Sequence, residues 1–365
     1  MDTLKLSASQ MFWMTFSFTI GTTLILLPSG LIASAHQYAW VVYLWSCAFG
    51  LAAGLFWLYI AKLHPGLSLV EISRKVLGKY AGGAVSICYI VFFIQIASWV
   101  TRNICDYMQI NLMPNTPLIV FNLMALLICA YAVIQGADSI SYVSVFMAPL
   151  LTISFWVPFT VMIKEWEWQF FQYPAVFQIW PTMVQTNYSL GFPFMENVAF
   201  MMVFPMVQSR LRASYLGGIL MAGILMAMAT FFTIGILGVY RSAHLTYPLH
   251  TIFREMQFSG VIEHLEAFLS VAALLFVFFK LSIIFYFSVL AICQLFRIRS
   301  RAAVAYPLVW IISAYAMLFS SVMQNAAWVQ KYLFVYYLPF GIGFPLLLLA
   351  ATWLSKLKTN KEEHA

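Results

Sequence analysis

Apolar runs of about 20 residues recur along most of this chain, and they limit the folds it can adopt. We count ten runs, which cover residues 10–35, 39–62, 82–110, 117–135, 140–163, 184–208, 213–240, 265–292, 303–323 and 332–355. A helix needs roughly 20 apolar residues to cross a bilayer. Of the 365 residues, 63% are hydrophobic and 8% charged, which leaves too little polar surface for a water-soluble globule. The sequence predicts an all-α membrane protein with ten transmembrane helices and one polytopic membrane domain over residues 1–365.

The distribution of positive charge predicts the orientation in the membrane. If the N-terminus is cytoplasmic, thirteen of the nineteen Lys and Arg residues fall on the inner side. The positive-inside rule therefore places both termini in the cytoplasm. No cleavable signal is expected, because the first apolar run is longer than the apolar region of a signal peptide. The formal charge of +7 follows from this topology, since no soluble basic domain is present to bind nucleic acid.

Helix breakers interrupt the first run. The stretch GTTLILLPSG, residues 21–30, contains two glycines, two threonines, a serine and a proline. For this stretch alone, a simple proline kink at Pro28 is an alternative to a functional break. A second interruption, SLGFPFMEN, begins the second half of the chain and contains Gly191, Pro193 and an intramembrane Glu196.

Paired breaks at equivalent positions of two halves are typical of transporters built from inverted repeats, with the binding site near the membrane midplane. Ten spans divide into a repeat over about 10–163 and a repeat over about 184–355. Two five-span units insert with opposite orientations, in agreement with the charge bias. We therefore predict a five-plus-five inverted repeat in which helices 1 and 6 are unwound near Gly21 and Gly191.

The predicted break in helix 1 has chemical consequences. Backbone groups freed inside a bilayer need partners, and lining a polar cavity supplies them. The half-helix after Gly21 would present N–H donors and the positive end of its dipole, which suits a carboxylate. Thr22 and Thr23 add hydroxyl groups. These three residues are predicted to bind a ligand.

Lys280 lies near the middle of the eighth run, where a Lys facing lipid costs about 2.5–3.5 kcal/mol. The residues three and four positions away are apolar, so its partner must come from another helix. Glu196 is the predicted partner, in a cavity between the first, sixth and eighth helices. The alternative is that Lys280 only holds helices together. Arg102 and Asp106 are four residues apart near the outer end of the third span and predict a local ion pair.

Three further segments carry predictions. Residues 68–79 are amphipathic and predict a short helix on the cytoplasmic surface. The segment from Arg241 to about His264 is the longest outer loop and a candidate lid or docking surface. Tyr332, Tyr336 and Tyr337 fit an aromatic belt at the membrane interface. The five cysteines lie in apolar runs without a CxxC spacing, so no metal site or disulfide framework is expected.

Several stretches together resemble the spore germination permease family, the B subunits of germinant receptors. GTTLILLP is similar to the break in that family's first span, HPGLSLVEISRKVLGKYAGG to its inner-loop pattern, and FPFMENVAFMMVFP to the Pro-Phe-Gly-Glu signature of its sixth span. The family belongs to the amino acid, polyamine and organocation transporter superfamily, so the resemblance implies the LeuT-type fold. It also implies that Gly191, Phe192, Phe194 and Glu196 contribute to the ligand site.

Two positions depart from the superfamily pattern. Thr23 stands where many members have the second glycine of a carboxylate cradle, and Met195 stands where the sixth-span signature has glycine. Both side chains narrow the space beside the backbone. The ligand implied is therefore small, or seated differently from that of other members.

The resemblance implies a nutrient sensor in the inner membrane of the spore. Such a subunit binds a small nutrient, an amino acid by family analogy, and acts with a soluble-domain-bearing A subunit and a lipoprotein C subunit. No cofactor is implied. The alternative is a proton-coupled amino acid permease in which Glu196 or Lys280 exchanges a proton. A third hypothesis, an ion channel, predicts a continuous polar face, whereas polarity here is concentrated at the breaks. No nucleophile with a base, metal cluster or phosphate loop suggests an enzyme.

Overall fold

The computed structural model describes residues 5–172, 178–255, 265–319 and 321–363. Within these ranges the chain is all-helical, and its only β feature is an isolated bridge between Leu6 and Val207. The α-helices are α1 Ala8–Ile20, α2 Thr23–Ala35, α3 Ala39–Leu63, α4 Leu69–Asn111, α5 Leu118–Gln135, α6 Ala137–Val161, α7 Ile179–Gln185, α8 Leu211–Leu237, α9 Val239–His244, α10 Pro248–Glu255, α11 Leu265–Phe296, α12 Ala302–Ala316, α13 Val322–Leu338 and α14 Phe344–Glu363.

The first apolar run forms two helices. A capping box starts α1, because the Ser7 hydroxyl accepts from the Gln10 N–H at 3.2 Å and the Gln10 side chain accepts from the Ser7 N–H at 2.7 Å. The helix ends at Ile20, where Gly21 takes the non-helical angles φ 16° and ψ −118°. Pro28 lies inside α2, which continues to Ala35. The interruption therefore lies at Gly21 and Thr22, and a kink at the proline does not explain it.

The sixth apolar run contains little α-helix. Leu190–Phe194 form a π-helical turn, Met195–Met202 a 3-10 helix and Phe204–Met206 a 3-10 turn. Within the π turn, Phe192 is extended, with φ −108° and ψ 115°. Backbone that leaves the α-helix at membrane depth is tolerated where it is buried in protein or lines a cavity.

Among the described residues, seven helical stretches are long and apolar enough to cross a membrane, against the ten runs counted in the sequence. Three structural features account for the difference between ten runs and seven stretches. The α2 and α3 helices, joined by the 3-10 turn His36–Tyr38, count together as one stretch, Thr23–Leu63. The run over 184–208 contains little α-helix, and α12 is only 15 residues long. The chain is thus a multi-pass membrane protein.

The amphipathic stretch over 68–79 forms the first turns of α4. A second capping box, between Ser68 and Glu71, starts this helix. At Gly78 the backbone turns to φ 81°, a left-handed conformation that favours glycine. The chain then folds back so closely that a Cβ at Gly82 would lie 2.2 Å from the Ser73 carbonyl oxygen. Two glycines therefore join the short helix to the membrane-length part of α4.

Helix packing brings the two interrupted segments together. The α1 helix contacts α6, α8 and α11, and it also contacts the 3-10 helix Met195–Met202. The α3 helix packs along α8, and α4 packs along α11. In the predicted outer loop, α9 and α10 are described, whereas residues 256–264 lie outside the described residues.

Candidate ligand-binding cavity

The break in the first span is filled by a lysine from α11. A Cβ placed on Gly21 would lie 2.4 Å from Cδ and 2.8 Å from Cβ of Lys280. Contacts below 3.0 Å between carbon atoms are strongly repulsive, so the stem of Lys280 occupies the space of a residue-21 side chain. The glycine that interrupts α1 is thus also the residue that admits Lys280.

Lys280 forms a buried ion pair with Glu196. The Nζ atom lies 2.5 Å from Glu196 Oε2, and the two side chains are 0% and 2% exposed. The Tyr337 hydroxyl donates to the other carboxylate oxygen, Oε1, at 2.8 Å. One carboxylate therefore connects α11, the 3-10 helix Met195–Met202 and α13. The pairing expected from the cost of burying Lys280 is present.

Two aromatic rings complete the surroundings of the ammonium. Lys280 Nζ lies 4.3 Å from the ring centroid of Phe192 and 5.2 Å from that of Phe18. Aromatic faces attract cations within about 6 Å of the centroid. Because an ammonium has three N–H donors, the two rings partly replace the hydrogen bonds that burial denies it.

A cavity of about 350 Å³ begins at this ion pair. Glu196, Phe192 and Tyr337 lie at its inner end. It extends past Trp99 to the loop after α9, which includes Tyr247, and to the first turn of α13. Lys280 does not line the cavity but lies behind Glu196, so the carboxylate is the charge that faces a ligand.

Other predicted site residues lie outside the cavity lining. The Thr23 hydroxyl donates to the Thr19 carbonyl at 3.1 Å, across the break from α2 to α1. The Thr22 hydroxyl oxygen is buried and has no hydrogen-bond partner among the described residues. Gly191 faces α13, because a Cβ there would lie 2.9 Å from Leu333 Cδ2.

Phe194 lies on the opposite side of the interrupted segment from the cavity. A Cβ at Gly50 of α3 would lie 2.5 Å from its ring, and the Phe194 side chain is fully buried. The ring also approaches Gly223 of α8. Its observed role is to pack the segment against α3 and α8.

Polar side chains surround the outer part of the cavity. Arg102 Nε donates to both oxygens of Asp106, at 2.8 and 2.9 Å, and Arg102 Nη1 donates to the Phe319 carbonyl at 2.5 Å. The predicted local ion pair is thus observed, and Asp106 lines the cavity. Asn325 Nδ2 donates to Asn103 Oδ1 at 3.2 Å. These contacts connect α4 with the start of α13.

Apart from the ion-paired Glu196 Oε2, four buried polar atoms of cavity-lining residues have no hydrogen-bond partner among the described residues. They are Trp99 Nε1, the Tyr188 hydroxyl, the Tyr247 hydroxyl and Asn325 Oδ1. Burial is the main cause that raises the pKa of Tyr247 above its ordinary value, and the nearby Asp106 carboxylate adds to it. The Tyr247 hydroxyl therefore stays protonated and can donate a hydrogen bond. Buried polar groups normally have partners, and a bound polar molecule would supply them here.

Sequence reasoning missed most of the cavity walls. Tyr337 was predicted to lie in an interfacial belt, but it is fully buried and bonded to Glu196, so that prediction is wrong. Trp99 and Asn325 carried no distinctive local signal. Only the orientation of α4 and α13 in the bundle brings them to the cavity.

Backbone pairing closes the opposite end of the two interrupted segments. The Leu6 N–H donates to the Met206 carbonyl at 2.8 Å, and the Gln208 N–H donates to the Leu6 carbonyl at 3.0 Å. Beside this pairing, Gln10 Nε2 donates to Ser141 Oγ at 3.0 Å. The residues before α1 are therefore held directly to those after the 3-10 turn Phe204–Met206.

Transporters are among the solved structures that share this fold. A nucleobase-cation-symport-1 family transporter, Mhp1, in a closed conformation with bromovinylhydantoin bound, has a TM-score of 0.64 at 14% identity and covers 93% of this chain and 77% of its own. MhsT in complex with L-phenylalanine has a TM-score of 0.61 at 14% identity, with 93% of this chain and 88% of its own covered. At such identities the likeness shows the fold alone. The protein is therefore a membrane protein of the LeuT-type transporter fold.

Sequence comparison shows the family. The profile described as "Spore germination protein" matches residues 5–329. Spore germination protein KB of Bacillus subtilis (strain 168) is 27% identical over 377 residues, covering 99% of this chain and 98% of that protein. Spore germination protein YndE of the same organism is 22% identical, with 85% and 87% covered. The chain belongs to the spore germination protein family, whose members are membrane proteins and not enzymes.

Proposed function

We propose that this protein is a nutrient-sensing subunit of a spore germination receptor, which binds a small polar molecule in the cavity that ends at Glu196. The observation that carries the proposal is the buried carboxylate held by Lys280 and Tyr337 at the inner end of that cavity. A sensor of this design would convert ligand binding at the interrupted segments into movement of the helices joined at Glu196.

An amino acid is the ligand class that the cavity supports best. Both carboxylates in its lining, Glu196 and Asp106, already have a cation as partner, so the walls carry no uncompensated acidic charge. A net-neutral ligand avoids burying an unpaired charge. The ammonium of a zwitterion would face carboxylate oxygens, while its carboxylate would accept from the Trp99 N–H and the Tyr247 hydroxyl.

We further propose the five-plus-five arrangement with interrupted helices 1 and 6. Support comes from the break at Gly21 and from the non-α segment that contains Gly191. The packing of α3 on α8 and of α4 on α11 also agrees with it, because each pair joins corresponding spans of the two halves. With cytoplasmic termini, thirteen of the nineteen Lys and Arg residues lie on the inner side of the membrane, and the positive-inside rule supports this orientation.

The proposed receptor lies in the inner membrane of the spore and acts with an A subunit and a C lipoprotein. This assignment rests on the family and on relatives named as spore germination proteins. The competing function is a proton-coupled amino acid permease. The buried Lys280–Glu196 pair is the observation that favours this alternative, because a carboxylate beside an ammonium can exchange a proton during alternating access.

The test uses the full-length protein and the twenty common amino acids, supplied one at a time. Purified protein in detergent should show a higher Tm with at least one of them, and spores carrying the protein as their only receptor of this type should lose refractility with the same one. A Trp99→Phe variant, which lacks the N–H donor, should weaken both responses. If no amino acid changes Tm or triggers germination, an amino acid sensor is excluded. Uptake of a labelled amino acid into proteoliposomes, driven by a pH gradient, would instead support the permease.

A further inference from the structure

A second cleft, separate from the central cavity, lies at the end of the chain's bundle where α3 ends and α8 begins. Its volume is about 570 Å³. One wall is a face of α3, and the opposite wall is formed by the 3-10 turn Phe204–Met206 and the first turn of α8. The loop after α3 closes its end.

Two basic side chains stand at this end of the cleft. Lys62 comes from the last turn of α3 and Arg212 from the first turn of α8, and both are exposed. Neither has an ion-pair partner in the part of the chain that the structure describes. His64 also lines the cleft, but its Nε2 lies 2.9 Å from Thr352 Oγ1. No lining residue is acidic, so the cleft attracts anions.

An apolar wall leads away from the two basic side chains. Leu55, Tyr59 and Lys62 recur at helical spacing on one face of α3, and Leu55 and Tyr59 are 40% and 45% exposed. At 1.5 Å per residue, Leu55 lies about 10 Å along the helix from Lys62. The cleft thus joins an anion-attracting end to an exposed apolar surface of roughly the length of a short acyl segment.

We propose that this cleft binds one anionic phospholipid. The phosphate and headgroup lie between Lys62 and Arg212, and an acyl chain follows Leu55 and Tyr59. Basic pockets between membrane helices are suited to acidic lipid headgroups. A soluble phosphate compound would use only the basic end and would leave the apolar wall uncovered. The lipid would contact both α3 and the turn Phe204–Met206, which follows the 3-10 helix that contains Glu196.

The test compares lipid retention by the full-length protein in nanodiscs of phosphatidylcholine alone or with phosphatidylglycerol. Native mass spectrometry should detect one retained phosphatidylglycerol in preference to phosphatidylcholine. Lys62→Gln combined with Arg212→Gln should weaken this preference at least tenfold, since both basic groups that attract the anionic headgroup are lost. The matched control, Lys75→Gln with Arg299→Gln, makes the same change in charge at exposed residues outside the cleft and should keep the preference.

Several outcomes would overturn the proposal. These are no preference in the wild type, an unchanged preference in the cleft variant, or equal losses in both double variants. Glycerol phosphate that displaced the lipid at equal concentration would show a simple anion site. If the double variant fails to fold, Lys62→Gln and Arg212→Gln are measured singly, and each should lose part of the preference. Displacement of the lipid by an acidic peptide alone would identify the cleft as a protein-docking site instead.

Discussion

The side-chain stem of Lys280 occupies the place that a side chain on Gly21 would need, with Lys280 Cδ only 2.4 Å from a Cβ built on the glycine. The residue that breaks the first helix and the residue that carries a charge into the bundle are therefore fitted to each other. A larger residue at position 21 would collide with Lys280, and a residue without the Lys280 stem would leave the space beside Gly21 unfilled.

Gly21→Ala should be destabilising, because the methyl group would displace Lys280 from Glu196. Overpacking of a well-packed interior costs about 1–3 kcal/mol. We expect a lower Tm in detergent and a loss of the germination response. Gly83→Ala is the control, since a Cβ there meets nothing within 4 Å and alanine favours the helix. Equal behaviour of the two variants would show that the contact at Gly21 has no importance.

Lys280→Met should abolish the nutrient response, because it leaves Glu196 buried without its cation. Removing one partner of a buried pair costs about 3–5 kcal/mol, whereas removing both charges is much less harmful. Lys280→Met with Glu196→Gln should therefore recover Tm. If the pair only holds helices together, the double variant should also recover germination. Normal membrane levels of Lys280→Met with a full response would sink the proposal.

Tyr337→Phe removes the hydroxyl that donates to Glu196. A hydrogen bond to a charged group contributes about 1.5–3 kcal/mol, so the nutrient concentration for half-maximal germination should rise roughly tenfold or more. Tyr332→Phe is the matched control on the same helix, since Tyr332 is 48% exposed. If the nutrient concentration for half-maximal germination rose equally in both variants, the effect would come from any change on α13 and not from the hydrogen bond to Glu196.

The response should not require sodium. The Lys280 ammonium already supplies a monovalent cation between the break in the first span and Glu196. Germination in choline buffer should match that in sodium buffer of the same ionic strength. A strict sodium requirement, also seen with the purified protein in ligand-dependent thermal shifts, would show that a second cation site exists elsewhere.

The parts of this site that sequence reasoning found were those with a local physical signature. Glycine and proline mark the interruptions, and the cost of an unpaired Lys280 predicts a partner on another helix. Tyr337 was missed because an aromatic residue in an apolar run looks the same whether it faces lipid or the interior. That choice depends on how the helix is rotated by its neighbours. Phe194 was placed in the site by resemblance, but in the distorted segment it points towards α3 and α8.

The number of spans illustrates the same limit. Hydropathy measures how apolar a segment is, and residues 184–208 are apolar enough for a transmembrane helix. The backbone from Leu190 to Met206 nevertheless adopts mostly π and 3-10 geometry, because Gly191 and Pro193 weaken the α-helix and the surrounding protein supplies other contacts. An apolar run therefore predicts membrane depth better than it predicts helical form.

The pairing of Leu6 with Met206 and Gln208 is made by main-chain atoms. Exchanging the side chains at these positions would leave both hydrogen bonds possible, so substitutions there are a poor probe of this connection. Proline at residue 6 is the exception, because it removes the N–H that donates to Met206. Any motion that separates the start of the first span from the end of the sixth must break both bonds at once, so this short strand-like contact resists opening whichever residue other than proline stands at position 6.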